Sequence, residues 1–387
     1  MTRAAGMAQT LLVCVVYALG PAAMILMPMI VGGLVDGYGY SEQQAGNIAA
    51  MEGFGLVVAS VLAALWIRAV SWTRALLASF LAYAALNAVS AGVEGYAPLL
   101  ALRFLSGFAG GCVFAVTVAA LGDEREPDRA FGFAQAVQGA LMLAAFFAAP
   151  LLLAQGGVGA LYALLAAASL VMLATLRRFP AHGRDIGAPV AGAAAATGGT
   201  ALIWLGLVAS VAFFANVFGF WAFVERIGQA AQLPAATIGL ALGISQVTAI
   251  AGALAAAWAS DRYGRGWPLL MVLVGQCAAL FALMGAFGSV TYFLATGVYQ
   301  ALFIVAVSYQ MGAVAQLDTG GRFLVMMTGA QGLGGAIGPA LAGALIGEGN
   351  EYGGVMRMAA LLCALGTLAF LFIVYRGSAP VTSPSDA

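Results

Sequence analysis

The chain has 387 residues, 63% of them hydrophobic and only 8% charged, with a mean hydropathy of +1.00. Soluble domains carry about 25% charge, and no water-soluble fold of this length can enclose so much apolar surface, so the chain is expected to be integral to a membrane. The formal net charge is +0 and every basic residue is Arg, which excludes the basic footprint of a nucleic-acid binder.

A spanning helix takes about 20 apolar residues. The first such run starts in "MTRAAGMAQTLLVCVVYALG" and continues through "MILMPMIVGGLV". It exceeds the apolar core of a signal peptide, so it is read as a retained helix over 9–34. Pro21 and Pro28 should kink it, and Tyr17 and Met24 share its turns. Further runs predict helices over 42–68, 74–93, 97–121, 130–154 and 157–177. The polar stretch "RRFPAHGRDIGAPVAGAAAATGG" then interrupts the pattern. Six more runs follow, over 200–224, 235–259, 267–288, 291–316, 322–346 and 353–376. The expected organisation is an N-terminal six-helix bundle (1–177), a linker (178–199), a C-terminal six-helix bundle (200–376) and a disordered tail (377–387).

Charge placement supports twelve spans. With the N-terminus inside, the inner segments hold Arg3, Arg68, Arg74, Arg125, Arg129, Arg177, Arg178, Arg184, Arg262, Arg265, Arg322 and Arg376. Only Arg226 is expected in an outer loop, while Arg103 and Arg357 fall within helices. Asp36, Glu42, Glu94, Glu348 and Glu351 fall in outer loops. This positive-inside pattern places both termini in the cytoplasm. The expected location is a bacterial cytoplasmic (inner) membrane.

An internal repeat accompanies the pattern. "LAALW" ends at Trp66 and "LAAAW" at Trp258; "RAFGFAQAVQG" begins at Arg129 and "RFLVMMTGAQG" at Arg322. Both pairs share one offset of roughly half the chain. Two parallel six-helix halves point to a transporter with its site at the interface between the halves.

At "AAAWASDRYGRGW" the Asp261-Arg262-Tyr263-Gly264-Arg265 core resembles the signature loop of the major facilitator superfamily, and the resemblance covers the whole length. The first-half copy, "WIRAVSWTR", lacks the Asp and the Gly. Arg103, Gly107, Gly110 and Gly111 in "LRFLSGFAGG" are similar to a second signature of that family. A third, a helix 5 G-P motif with flanking glycines that marks many proton antiporters, is represented here by Pro150 alone. The resemblance implies an all-α, twelve-helix integral membrane fold and alternating access. It also implies a gating loop at Asp261, Arg262 and Arg265, with Asp261 pairing to either Arg.

Glu52, about 16 Å along helix 2 at 1.5 Å per residue, is costly in a bilayer unless paired, protonated or wet. It reads either as a proton-coupling or substrate-contacting acid or as a structural partner of an Arg. Arg103 keeps its charge and needs an anionic partner, which is Glu52 or an anionic solute. Candidate lining groups are Tyr17, Gln135, Gln138, Asn216, Trp221, Gln246, Tyr299 and Gln300, with Phe213, Phe220 and Gln310 as similar cases. Each reads equally as a satisfied or lipid-facing residue.

The four cysteines, Cys14, Cys112, Cys277 and Cys363, lie in apolar runs and fit packing rather than a disulfide or zinc framework. "GLGGAIG" lacks dinucleotide spacing and reads as a helix-packing surface. The lone His182 falls in the linker, and no catalytic set or metal cluster can be assembled. The expectation is therefore a monomeric secondary transporter, not an enzyme, without cofactor or metal. Its partners are the lipid bilayer, protons and a small organic solute, anionic or zwitterionic with an apolar body. The alternatives are an exporter of drugs or hydrophobic metabolites, and a non-transporting sensor or scaffold on the same fold.

Overall fold

The computed structural model describes residues 3–67, 69–124, 127–182, 200–259, 262–317, 322–346 and 351–377. Among the described residues there are thirteen α-helices, one 3-10 turn and no strand. The first apolar run is broken into α1 (Arg3–Leu19), α2 (Ala22–Ile25) and α3 (Met27–Tyr38). Gly20-Pro21 causes the first break, and Pro28 sits in the first turn of α3, where its missing N–H is not needed. Then come α4 (Glu42–Trp66), α5 (Trp72–Ser90) and α6 (Tyr96–Gly122). Helix α4 starts at a capping box: Ser41 Oγ accepts from Gln44 N–H, and Gln44 Oε1 accepts from Ser41 N–H. Helix α7 (Pro127–Met172) is two helices joined at Gly156 and Gly157. Gly157 has φ +59, a conformation glycine adopts without steric cost. A 3-10 turn, Leu173–Arg178, closes the first half.

The second half contains α8 (Thr200–Ala230), α9 (Ala235–Ala259), α10 (Gly266–Ala282), α11 (Ser289–Leu317), α12 (Arg322–Ala344) and α13 (Gly353–Gly377). With α1–α3 as one pass and α7 as two, the chain crosses a membrane twelve times, as the apolar runs predict. Phe147, Val208, Val290 and Leu361 point outward as exposed apolar groups, as lipid-facing side chains must. One boundary corrects the sequence expectation. Helix α8 runs on to Ala230, so Arg226 lies inside a helix and is buried, not in an outer loop.

The two ends of the bundle differ in charge. At one end Gln9 Nε2 donates to Arg178 O, Thr10 Oγ1 to Glu124, and Trp72 N–H to Ala181 O. This is the arginine-rich end. The opposite, acidic end carries Asp36, Glu42 and Glu94, and Tyr40 Oη donates to Glu94 O at 2.6 Å.

The halves meet along α4 against α12 and α7 against α9. Glycines bring the backbones together. A Cβ on Gly343 would lie 2.8 Å from Glu42 O, one on Gly46 2.5 Å from Pro339 O, and one on Gly53 3.0 Å from Ala336 Cα. Gly332 abuts Val57 farther along. Gly239, Gly243 and Gly139 pack in turn on Phe146, Leu143 and Ile250 between α7 and α9. Toward the arginine-rich end both seams stop. Val61 and Leu65, the next positions along the contact side of α4, are 58% and 80% exposed, and Leu254, one turn beyond Ile250, is 67% exposed. The halves therefore touch at the acidic end and part at the arginine-rich end.

Candidate functional site

Tight helix packing positions the first charged centre. A Cβ on Gly107 of α6 would fall 2.0 Å from Glu52 O, and one on Gly55 of α4 2.0 Å from Phe104 O. These contacts bring α4 and α6 close enough for Arg103 Nη1 to reach Glu52 Oε2 at 3.3 Å. Arg103 is fully buried. Its Nη1 also donates to Asn87 Oδ1 at 3.0 Å, and its Nη2 to Ser90 Oγ and Leu86 O. Tyr162 of α7 covers the guanidinium at 4.3 Å. Glu52 Oε1 and Arg103 Nε have no protein partner. All these groups belong to the first half. Of the two readings open for Glu52, the one realised is the partner of an Arg. Arg103 is answered by Glu52, so the expectation that it holds an anionic solute is corrected by the enclosure of the pair.

The second half has an uncharged counterpart. Tyr299 Oη donates to Asn216 Oδ1 at 2.7 Å, and Asn216 Nδ2 to Gln276 Oε1 at 3.4 Å. Gln276 Nε2 donates to Tyr299 O, and Cys363 Sγ to Gln276 Oε1. The Phe220 ring lies 4.6 Å from that of Tyr299. Asn216, Tyr299, Phe213 and Phe220 are buried and spent on one another or on packing. Trp221 instead joins the halves: its Nε1 donates to Ile25 O at 2.9 Å, and its ring meets the Phe146 edge. Tyr17 is buried beside Phe114 at 5.2 Å.

The glutamines differ, because several lack protein partners. Gln138 Nε2 in α7 and Gln331 Nε2 in α12 are buried and unpartnered. They occupy matching points of the repeat, each followed by the glycine that touches the other half, Gly139 and Gly332. Gln331 lies one turn before Gly335, which packs on Phe218 of α8. Thr328, nearly one turn earlier on that side, is exposed, as is its counterpart Gln135 on α7. On α11, Gln300 Oε1 and both amide atoms of Gln310 also lack partners. Between them Phe303 packs on Phe214 at 5.5 Å and on Phe218 at 6.4 Å. Gln246 Nε2 has only a long contact, 3.4 Å, to Ser245 Oγ. Amide donors and acceptors thus flank an aromatic surface between the halves.

Sequence reasoning missed a cluster at the acidic end. Arg226 Nη1 reaches Asp36 Oδ1 at 2.6 Å and Gln229 Oε1 at 2.7 Å, and its Nε reaches Glu42 Oε1 at 3.1 Å. Tyr352 Oη donates to Glu42 Oε1 at 2.6 Å. Burial and this hydrogen bond to Glu42 hold the Tyr352 phenol above its ordinary range, so it remains a donor. Glu225 accepts from Gln229 Nε2. Asp36 and Glu42 come from the first half, the others from the second. The available signal was the pair of adjacent charges in "FVERIG", hidden because the apolar run appeared to end at 224.

Of the signature loop, Asp261 lies outside the described residues. Arg262 is exposed, with its guanidinium 5.0 Å from the Trp258 ring. Arg265 extends toward Gly312 of α11, and Gly264 takes φ +62 in the turn between them. Among the described residues no group of His, Cys, Asp and Glu has metal-binding geometry.

The comparisons bear on this architecture. The family profile of the Major Facilitator Superfamily matches residues 11–226 and 206–387. No curated protein matches by sequence. The fold is similar to a structure of a D-xylose-proton symporter, with TM-score 0.76 and 15% identity, covering 94% of this chain and 96% of that one. It is also similar to the nucleoside transporter NupG (TM-score 0.73, 14% identity, 95% and 98% covered). A third is a bacterial homologue of the human lysosomal transporter Spinster, solved inward-facing and unoccupied (TM-score 0.75, 12% identity, 97% and 98% covered). With twelve passes, paired halves and a profile match across both, this chain belongs to the Major Facilitator Superfamily.

Proposed function

We propose that the protein is a secondary transporter that moves a small, neutral, oxygen-rich organic solute by alternating access between its halves. The observation that carries this reading is the set of buried carboxamides without protein partners, Gln138, Gln300, Gln310 and Gln331, beside the Phe214, Phe218 and Phe303 rings. A buried amide left unpaired costs about 1–3 kcal/mol, which a solute bearing hydroxyl or carbonyl groups recovers on binding. Apolar faces of the same solute fit the aromatic surface. Among the described residues, the buried guanidinium groups of Arg103 and Arg226 are both answered by carboxylates, so neither favours an anion. The names of two fold neighbours, a xylose symporter and a nucleoside transporter, agree with a hydroxyl-rich solute.

In this reading the arginine-rich end faces the cytoplasm of a bacterial inner membrane, the chain works as a monomer, and the conformation is open inward. Transport is proton-coupled, with Glu52 and the acidic end supplying the candidate carboxyl groups. The loop of Asp261, Arg262 and Arg265 latches the cytoplasmic side. The test is counterflow in proteoliposomes against a panel of neutral, anionic and cationic organic solutes. Saturable exchange of neutral polyhydroxylated compounds is the expected result; exchange confined to anions rejects the solute class.

A further inference from the structure

The acidic-end cluster has an imbalance that the transport reading does not use. Three carboxyl groups, Asp36 of α3, Glu42 of α4 and Glu225 of α8, surround one guanidinium, Arg226. Arg226 spends its resolved hydrogen bonds on Asp36, Glu42, Tyr352 and Gln229. Glu225 receives none of them. It is 4% exposed, Oε1 accepts only the Gln229 amide, and Oε2 has no partner. Oε2 presses against Gly32 of α3, where a Cβ would lie 2.2 Å away. The other titratable group beside it is Tyr292 of α11, whose hydroxyl is committed to Val224 O. A second unbalanced charge enclosed here would cost several kcal/mol, whereas a neutral carboxyl leaves only an ordinary polar group unpaired.

We propose that Glu225 is a proton-binding site that is loaded when the acidic end closes and emptied when it opens. In the closed state the carboxyl is COOH, with the proton on Oε2 against the α3 backbone and Oε1 held by Gln229. When α3 withdraws from α8, water reaches Oε2, the O–H bond breaks, the proton leaves to that water, and the carboxylate stays hydrated. Gly32 is the only residue type that admits the carboxyl at this contact. Closure then consumes one proton per cycle whatever the solute, so this site couples the proton gradient to the conformational change independently of the glutamines.

The experiment follows the distance between the halves at the acidic end in the full chain in nanodiscs. Spin labels are placed through Gly37→Cys and Ala236→Cys after replacement of the four native cysteines. Linkage to one proton makes the open-to-closed ratio rise up to about tenfold per pH unit as pH increases. Glu225→Gln should hold the closed distance from about pH 5 to about pH 9, and Glu225→Asp should restore a pH response. Infrared difference spectra of the wild type should show a protonated-carboxyl C=O band that Glu225→Gln removes. A wild-type distance that does not move with pH overturns the proposal, and so does a Glu225→Gln protein that keeps the wild-type response. No solute is present in either measurement, so failure here is separable from failure of the solute reading.

Discussion

Arg103 Nη1 lies 3.3 Å from Glu52 Oε2, with both side chains enclosed by helices of a single half. A charge pair inside one rigid bundle supports that bundle more directly than it supports movement between bundles. Glu52→Gln leaves a buried guanidinium unbalanced, and breaking such pairs costs about 3–5 kcal/mol. We expect a clear fall in Tm of the purified protein. The double replacement Glu52→Leu with Arg103→Leu should recover much of that loss. A double-mutant cycle in thermal unfolding measures the coupling; unchanged Tm in Glu52→Gln contradicts a structural role.

The glutamines predict the opposite balance. Gln138→Leu and Gln331→Leu each remove an unpartnered amide, so Tm should hold or rise. Solute affinity should fall about 3- to 10-fold per substitution, the worth of a neutral hydrogen bond of about 0.5–1.5 kcal/mol. Binding isotherms with the solute identified by counterflow provide the check. Because the two positions correspond in the repeat, effects of similar size are expected on both sides.

Trp221→Phe keeps an aromatic ring beside Phe146 and deletes the N–H that reaches Ile25 O across the halves. Losing about 0.5–1.5 kcal/mol from the closed arrangement alone shifts its population about 2- to 10-fold. Distance measurements at the acidic end read the shift directly. An unaltered distribution would mean that this bond persists in both arrangements.

Gly107→Val introduces a side chain where a Cβ already meets Glu52 O at 2.0 Å. Overpacking of this kind costs about 1–3 kcal/mol, and here it also separates Arg103 from Glu52. The expected result is poor yield and a lowered Tm. Gly122→Val, at a site with no atom within 4 Å of a Cβ, should be tolerated much better.

Hydropathy made the passes legible, because a bilayer forces long apolar runs. The repeat made the two halves legible. Local pattern could not show that α8 continues past Val224, since Glu225 and Arg226 look like the end of a span until Asp36 and Glu42 are brought beside them. The same limit applied to Arg103: sequence demanded an anionic partner and offered two, and only packing through Gly55 and Gly107 decides for Glu52. The glutamines were visible as polar interruptions. Which of them keep free hydrogen-bonding capacity depends on neighbours far away in the chain; Asn216 and Tyr299, equally conspicuous in the sequence, satisfy each other. Gln331 shares its repeat position with Gln138, a correspondence that marked it before any contact was known.

The seam between α4 and α12 is built from Gly46, Gly53, Gly332 and Gly343, with few large side chains between the backbones. Interlocked knobs would have to be withdrawn before such a joint could turn. Smooth surfaces have nothing to disengage, so one half can roll over the other like a rocker on a flat floor, keeping contact while the line of contact travels. The barrier to switching then lies in the polar clasp at the acidic end, and the seam itself acts as a low-friction bearing.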